Sequence, residues 1–351
     1  MAYHITCSTD DNYVQHCMAM LCSLYENNKD HDFIAHLLVS KLSTEGRNLI
    51  AKLGERYHNK TIFYDIDDNM VENFKMNTGA RFNGKQMYSI ATYYRIFLPS
   101  LLPKDIRRIL YLDCDIIVLQ DVAELYYLNI EDYAVAAVKD FSPFDNYHRT
   151  KMGLSLQHSA FCAGMMMINL DYWRKTNAQN ILLEYSTREW EQVYLQDQDA
   201  LNYVFRDHWF MLPYKWGRTP LCVASTDKTQ RDFDILEFVE KPCIFHYAGH
   251  IKPWFDVWFE ERKYYWKYAK LSGFPNPVVT KLQGGLKLKM YILVCRYVIN
   301  KYVRPLVPDL FELILRDIWN LIALVVYAIK GPNALKRFLL KRWKQKYNIN
   351  A

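Results

Sequence analysis

The sequence predicts an α/β fold in which a mainly parallel sheet is flanked by helices. Short apolar runs alternate with longer helix-patterned runs through the first 120 residues, a rhythm typical of βαβ units. Acidic residues, such as Asp10 and Asp113, follow apolar runs at the strand ends where parallel sheets bind ligands. With 351 residues, of which 51% are hydrophobic and 23% charged, the chain can bury a large core, which excludes a disordered protein.

Each predicted element follows from its own pattern. Strands are short apolar runs, and helices are longer runs with apolar residues three or four apart. The predicted strands cover residues 3–8, 33–39, 61–64, 108–112, 134–138, 165–169 and 243–247. The predicted helices cover residues 14–27, 44–57, 86–98, 178–191, 197–205 and 256–269.

A cluster of turn-forming residues at 273–277, Gly-Phe-Pro-Asn-Pro, predicts a boundary between a main domain, residues 1–275, and a C-terminal region, residues 276–351. Residues 281–351 hold 14 Lys and Arg against 3 Asp and Glu, whereas residues 1–280 hold 30 against 35. The basic character of the protein therefore belongs to its C-terminal region.

That region contains three segments patterned as amphipathic helices, residues 286–302, 309–329 and 333–347. Its longest uncharged apolar run is about a dozen residues, against the roughly 20 that span a bilayer. We expect it to lie on an anionic membrane surface, with Trp319, Tyr327 and Trp343 in the interface. The alternative is ordinary helices packed on the main domain with solvated charges.

Eight cysteines occur without any C-x-x-C pair, which is typical of reduced core residues in a cytosolic protein. The first residues carry no cationic flank and no long apolar stretch, so we expect no signal peptide. These observations predict a cytoplasmic protein attached peripherally to the inner face of the cell membrane.

Asp113 and Asp115 end an apolar strand two residues apart. Residues i and i+2 of extended backbone point to the same side, so both carboxylates can meet one ion while Cys114 turns away. Hard oxygen ligands suit Mg²⁺ or Mn²⁺. The alternative for an isolated Asp-x-Asp is a solvated acidic turn.

The same spacing recurs at Asp65 and Asp67 and at Asp197 and Asp199. Asp67 belongs to a cluster that resembles the N-cap of a short helix, an adequate structural reason for its acids. The four polar residues 196–199 fit a carbohydrate site or a helix cap equally well.

Residues 245–254 combine a strand-end imidazole, His246, with Gly249 and Lys252. The imidazole can complete a metal shell, the glycine allows close approach of a phosphate, and the lysine can neutralise it. A core histidine beside a turn is the alternative. Residues 79–86 lack the Ser or Thr of a P-loop, and no G-x-G-x-x-G occurs, so the familiar nucleotide fingerprints are absent from the sequence.

Taken together, these fragments resemble the family 8 retaining glycosyltransferases, the group of the bacterial lipopolysaccharide galactosyl- and glucosyltransferases. The matching motifs run in family order over about three quarters of the chain. They are residues 8–13 (STDDNY), 89–95 (SIATYYR), 110–115 (LYLDCD), 163–170 (AGMMMINL), 196–199 (QDQD) and 246–254 (HYAGHIKPW).

The resemblance implies a GT-A fold, which is a Rossmann-like mixed sheet flanked by helices. It also implies metal-dependent, retaining transfer of a hexose, glucose or galactose, from a UDP-sugar to a saccharide or lipid-linked acceptor such as lipopolysaccharide core. Mn²⁺, or Mg²⁺, would be the cofactor. A metal-dependent nucleotidyl- or phosphotransferase and a non-catalytic, membrane-associated carbohydrate-binding protein are the competing classes. The long apolar runs of the C-terminal region argue against a nucleic-acid partner.

The resemblance also implies roles for individual residues. Asp113, Asp115 and His246 would hold the metal. The donor-binding set would be Thr9, Asp10, Asn12, Arg95, Asp113, Cys114, Asp115, Gly249 and Lys252, and the catalytic set around the transferred sugar would be Arg95, Asp140, Asp197 and Gln198. Cys162 departs from the asparagine usual in the family, and a thiol is a poor partner for sugar hydroxyls.

Overall fold

A computed structural model of the chain describes residues 2–67, 81–82, 85–86, 90–140, 158–188, 195–219 and 242–298. The strands are β1 (Tyr3–Thr9), β2 (Phe33–Val39), β3 (Lys60–Asp65), β4 (Arg81–Phe82), β5 (Lys85–Gln86), β6 (Arg108–Leu112), β7 (Ile116–Val118), β8 (Val135–Lys139), β9 (Phe161–Asn169), β10 (Trp209–Leu212) and β11 (Ile244–His246). The helices are α1 (Val14–Glu26), α2 (Thr44–Arg56), α3 (Leu98–Leu101), α4 (Ala123–Tyr126), α5 (Leu170–Lys175), α6 (Ala178–Arg188), α7 (Asp197–Val204), α8 (Arg262–Leu271) and α9 (Gly284–Val298). Two 3₁₀ helices cover Ile90–Phe97 and Tyr214–Trp216.

The main sheet has seven strands in the order β10-β8-β9-β6-β1-β2-β3. β9 runs antiparallel to both its neighbours, β6 and β8, and the remaining neighbours pair in parallel. The predicted α/β class with a mixed, mainly parallel sheet is confirmed. Because β1 and β6 are parallel neighbours, Thr9 and Asp113 come to the same edge of the sheet.

Every residue of β9 is buried, since this strand lies in the middle of the sheet. It begins at Phe161, earlier than the residue 165 predicted from sequence, because Phe161–Gly164 continue the buried run. The extension carries Cys162 and Gly164 up to the edge where β6 ends.

A two-stranded antiparallel sheet, β7 with β11, lies apart from the main sheet. In its register His246 pairs with Ile116, and the Tyr247 amide donates to the carbonyl of Asp115 at 3.0 Å. This pairing is what carries the imidazole to the acidic turn.

The segment after β11 is held against α1 by aromatic packing. The ring of Trp254 stacks on His16 with centroids 3.7 Å apart, and the Tyr265 hydroxyl of α8 lies 2.6 Å from Nδ1 of His16. The Gln15 amide donates to the same hydroxyl at 2.8 Å. The strand-end motif around Lys252 is therefore fixed to the first helix of the fold.

Two predicted helices differ from the structure. Within residues 86–98, Gln86 belongs to β5, and residues 90–97 form the 3₁₀ helix instead of an α-helix. Pro99, which has no N–H to continue a helix, lies in the first turn of α3, a separate element. The helix predicted from residue 256 begins at Arg262, because the Asp256 carboxylate accepts from the Leu282 amide at 2.9 Å and pairs with Lys287.

The chain divides into two compact units, residues 1–294 and residues 295–351. The predicted helices at 309–329 and 333–347, with Trp319, Tyr327 and Trp343, lie outside the described residues. Among the helices within the described ranges, none combines the length and apolar character needed to cross a bilayer.

Candidate active site

The turn between β6 and β7 brings two carboxylates and one imidazole together. Nε2 of His246 lies 3.1 Å from Oδ1 of Asp115 and 3.9 Å from Oδ2 of Asp113. One ligand atom from each of the three residues lies within 4.8 Å of the other two. The backbone fixes the turn from β9, since the Asp113 amide donates to the Gly164 carbonyl at 2.8 Å.

Two features indicate that this cluster fits a divalent cation. Oδ1 of Asp115 is buried and has no hydrogen-bond donor aligned with it. At Gly164, a Cβ atom would lie 2.2 Å from Cε1 of His246 and 2.8 Å from Oδ2 of Asp113, so only glycine leaves this space open. Two carboxylates and an imidazole are a donor set suited to Mn²⁺ or Mg²⁺.

The charges within the cluster are strongly coupled. Burial raises the pKa of Asp115, but Lys252 and His246 lower it more, so that it lies below its usual range. Burial lowers the pKa of His246, yet the Asp115 carboxylate raises it well above its usual range. Burial raises the pKa of Asp113, against the influence of Arg95. An extra positive charge is therefore favoured at this position.

Lys252 supplies one positive charge already. Its Nζ lies 2.5 Å from Oδ2 of Asp115 and donates to the Tyr247 carbonyl at 2.9 Å. Gly249, between Tyr247 and Lys252 in the sequence, has φ of 83°, a conformation that residues with side chains rarely adopt. Gly249 itself is exposed.

Behind the acidic turn lies a buried ion pair. Nε of Arg95 is 2.8 Å from Oδ2 of Asp197, and both side chains are 3% exposed. Arg95 also lies 3.5 Å from Asp113, donates to the Ala163 carbonyl and stacks over the Tyr111 ring at 4.1 Å. Burial, only partly offset by Arg95, raises the pKa of Asp197 to about 7. Arg95 thus joins the acidic turn to α7.

Gln198 bridges two strands at the same edge. Its Nε2 donates to Oδ2 of Asp140 at 2.9 Å, and its Oε1 accepts from the Ala163 amide at 3.0 Å. Gln196, two residues earlier, has φ of 56° and ψ of −130°, an unfavourable conformation for a residue with a Cβ. Four residues of the predicted sugar site, Arg95, Asp140, Asp197 and Gln198, are thus adjacent.

Thr9 ends β1, and Asp10 and Asn12 follow it in the turn before α1. Thr9 is buried, and the Asp10 carboxylate accepts from the amides of Asn12 and Tyr13 at 2.9 and 3.2 Å. Asn12 is exposed. The Asp10 contacts hold the turn that leads into α1.

The other two Asp-x-Asp pairs have separate structural partners. Asp65 pairs with Arg47 and is 73% exposed, and Asp199 accepts from the Leu195 amide at 2.7 Å. Neither shares a cluster of potential metal ligands within the described residues.

Two cysteines lie next to the metal-site residues. Cys162 contacts the metal-site imidazole, with its Sγ 3.6 Å from Nδ1 of His246. Cys114, between the two acidic residues, is buried and donates to the Ser8 carbonyl at 3.2 Å, so its side chain faces away from the carboxylates, as expected. Sequence reasoning also missed Tyr111, whose hydroxyl donates to Oδ1 of Asp113 at 2.9 Å. The signal was available, because residue 111 precedes Asp113 by two and shares its face of the strand.

The chain is similar to known glycosyltransferases. A family profile described as Glycosyl transferase family 8 matches residues 4–257. General stress protein A of Bacillus subtilis (strain 168) is 27% identical over 291 residues, covering 79% of this chain and 98% of that protein. A lipopolysaccharide 1,2-glucosyltransferase of Escherichia coli is 24% identical over 258 residues, covering 72% of this chain and 74% of that protein.

A solved structure gives the same picture of the fold. The galactosyltransferase LgtC, crystallised with donor and acceptor sugar analogues, superposes with a TM-score of 0.67 and 23% sequence identity. The match covers 78% of this chain and 98% of that one. The GT-A architecture expected from the sequence is confirmed.

Proposed function

The chain belongs to glycosyl transferase family 8 and is a glycosyltransferase, and on this premise we propose that it transfers a hexose from a UDP-sugar with retention of configuration. Glucose or galactose is the proposed sugar, and a saccharide or lipid-linked acceptor such as lipopolysaccharide core is the proposed acceptor. The observation that carries the proposal is the cluster of Asp113, Asp115 and His246 beside the buried Arg95–Asp197 pair.

Asp113, Asp115 and His246 would hold Mn²⁺ or Mg²⁺. The bound ion would act as a Lewis acid on the donor diphosphate. Tyr111 and Arg95 hold Asp113 in place, and Lys252 keeps Asp115 ionised. The space over Gly164 keeps the ligand atoms accessible.

Lys252 is the proposed electrostatic partner of the leaving group. When the sugar–phosphate bond breaks, negative charge grows on the diphosphate, and an ammonium placed beforehand stabilises it. Gly249 would let a phosphate oxygen approach the backbone next to that ammonium. Thr9, Asp10 and Asn12 would contact the uracil and ribose end, across the sheet edge from Asp113.

The sugar would be held by Arg95, Asp140, Asp197 and Gln198. Asp197 is a poor candidate for a nucleophile, because it is buried against Arg95 and its pKa is raised to about 7. Gln198 carries an amide, which is a weak nucleophile. We therefore favour attack of the acceptor on the face from which the diphosphate departs, with a diphosphate oxygen taking the acceptor proton. A covalent glycosyl adduct on Asp197, trapped with a slow donor, would contradict this mechanism.

The donor test is release of UDP. The purified chain is incubated with UDP-glucose, UDP-galactose and their N-acetyl forms, with and without Mn²⁺. UDP release from one hexose donor, dependent on the ion and lost in Asp115→Asn, is the expected result. Release of hexose 1-phosphate and UMP would indicate cleavage within the diphosphate, as by a nucleotidyl- or phosphotransferase, and no turnover with any of the four donors would contradict the proposed donor class.

Residues 276–351 are proposed as a membrane-associating region that follows the catalytic domain, residues 1–275. The excess of Lys and Arg supports this, since each basic residue near an anionic surface contributes about 1 kcal/mol. On α9, Leu288 and Ile292 expose 62% and 50% of their surface. The proposed location is the cytoplasmic face of the cell membrane, where a lipid-linked acceptor would be presented.

The membrane proposal is tested on the full chain. Lys and Arg of residues 330–346 are replaced by Gln, and sedimentation is measured with vesicles of neutral or of anionic lipid. We expect binding of the wild-type chain to anionic vesicles and weaker binding of the variant. Equal sedimentation of both would show that this region does not bind the membrane through its charge.

A further inference from the structure

Beneath the acidic turn lies a second cluster of potential metal ligands, the thiols of Cys7, Cys17 and Cys114, here called the thiol triad. The three Sγ atoms lie within 4.8 Å of one another, and those of Cys7 and Cys17 are 3.7 Å apart. Each thiol comes from a different element: β1, α1 and the turn between β6 and β7. The packing of the fold, not sequence spacing, assembles the triad.

The triad is separate from the carboxylate cluster. Cys114 lies between Asp113 and Asp115, but its side chain leaves on the opposite side of the backbone and donates to the Ser8 carbonyl. The donor sets also differ in chemistry. Two carboxylates and an imidazole suit hard or borderline cations, whereas thiolates select soft ones.

We infer that the thiol triad binds a soft, closed-shell cation of the Zn²⁺ class. With Zn–S bonds of about 2.3 Å, neighbouring sulfurs in a tetrahedral site are about 3.8 Å apart, close to the spacing of Cys7 and Cys17. The Ser8 carbonyl oxygen, 3.2 Å from Cys114 Sγ, is positioned as a fourth ligand. Three S–H bonds are replaced by three S–metal bonds, and three protons pass to solvent. Three thiolates and one divalent ion then carry one net negative charge together.

Cys114 is the most exposed member of the triad. Cys7 and Cys17 are fully buried, whereas Cys114 remains 6% exposed. An ion would therefore reach the triad on the side of the turn that carries Asp113 and Asp115. The alternative is that the three thiols pack as small apolar side chains and bind nothing.

The experiment uses the full, metal-free, reduced chain and Cd²⁺ as the probe. Cd²⁺ bound to thiolates gives charge-transfer absorbance in the ultraviolet, whereas Cd²⁺ on carboxylates and imidazole does not. We expect saturable absorbance at one ion per chain, with three protons released in step with the rise in thiolate absorbance, measured in weak buffer. Absence of this absorbance in the wild-type chain would overturn the inference.

Serine variants locate the site. Cys17→Ser and Cys114→Ser should each lose most of the absorbance, while Cys22→Ser, a buried thiol further along α1, should keep it. Cys162→Ser should also keep it, because Cys162 lies beside His246 outside the triad. Thermal unfolding of each variant shows whether it is folded. Retained absorbance in folded Cys17→Ser would overturn the assignment, and release of three protons by wild type tests it even if both triad variants misfold.

The readout needs no donor sugar, so its outcome is independent of the proposed function. If the triad binds Cd²⁺ but UDP release is absent, the glycosyl-transfer proposal alone fails. If UDP is released but no thiolate absorbance appears, the triad proposal alone fails.

Discussion

Nζ of Lys252 lies 2.5 Å from Oδ2 of Asp115, so a cation already occupies one side of the carboxylate that is proposed to bind the metal. The same ammonium donates to the Tyr247 carbonyl at 2.9 Å, which keeps it in place. A metal ion and Lys252 therefore meet the same carboxylate. The donor diphosphate, with its negative charge, is the natural second partner for both.

Replacing Lys252 by Met should change metal and nucleotide binding in opposite directions. Mn²⁺ affinity without nucleotide should rise, because a like charge beside Asp115 is removed. UDP affinity in the presence of Mn²⁺ should fall about tenfold or more, since hydrogen bonds to charged groups contribute roughly 1.5–3 kcal/mol. Isothermal titration calorimetry measures both. Lys263→Met, at an exposed pair with Glu260, is the matched control; a Mn²⁺ affinity that falls with loss of Lys252 contradicts the prediction.

Gly164→Ala should impair the metal site more than the fold. The added Cβ would lie 2.2 Å from Cε1 of His246, so the imidazole or the strand must shift. A displacement of about 1 Å at a reacting centre can cost on the order of a hundredfold in rate. We expect that loss in UDP release together with weaker Mn²⁺ binding. Gly285→Ala, where nothing lies within 4 Å of the new Cβ, should behave as wild type; full activity of Gly164→Ala would show that the space is not needed.

The Arg95–Asp197 pair should be asymmetric in its contribution to stability. Arg95→Ala removes the partner of a buried carboxylate, and such losses cost about 3–5 kcal/mol. Asp197→Asn should cost less, because Arg95 retains the Ala163 carbonyl and Asp113, and because the pKa of about 7 shows that the charge of Asp197 is already disfavoured. Urea unfolding at pH 7 gives the two free energies. The prediction is wrong if both variants lose the same free energy of unfolding, or if Asp197→Asn loses more. Either result would mean that the charge of Asp197 contributes at least as much to stability as Arg95 does.

Stability at mildly acidic pH should depend on His36. Burial, reinforced by His4 and Lys60, lowers its pKa to about 4, and its ring is bonded to His4 and the Tyr64 hydroxyl. In the unfolded chain this histidine has a pKa of about 6.5, so below that pH it binds a proton. The native imidazole stays neutral down to a pH of about 4. The free energy of unfolding should therefore decrease as pH falls from about 6.5 to 4. His36→Gln should show a shallower decrease by about 1–3 kcal/mol, which urea titrations at pH 7 and pH 4.5 can measure.

The exposed His208→Gln variant is the control for this pH series. Its decrease should equal that of the wild-type chain. An unchanged slope in His36→Gln would mean that other groups cause the acid sensitivity.

The sequence predicted the class of fold because strand and helix periodicities are local properties. It also predicted the convergence of Asp113 and Asp115, since residues two apart on a strand share a face. It did not predict the extension of β9 to Phe161, which depends on burial within the sheet, or the 3₁₀ helix before Pro99.

The partners of the site residues were harder to predict. That Arg95 pairs with Asp197, or that Cys162 contacts His246, depends on contacts between segments far apart in the chain. No pattern of residue types within one segment contains that information. The resemblance to a family placed these residues at one site, and the structure supplied their individual contacts.

The register of β7 with β11 has a consequence for synthesis of the chain. Asp115 and Lys252 are 137 residues apart, and His246 reaches Asp115 only through that pairing. At about 5–20 residues per second, both carboxylates leave the ribosome roughly 10 seconds before the imidazole and the ammonium. A nascent chain thus carries two of the three proposed metal ligands, without the positive charge of Lys252 beside Asp115. High affinity for the cation would arise only once β11 has paired with β7. Cation binding would therefore report that this part of the chain has folded.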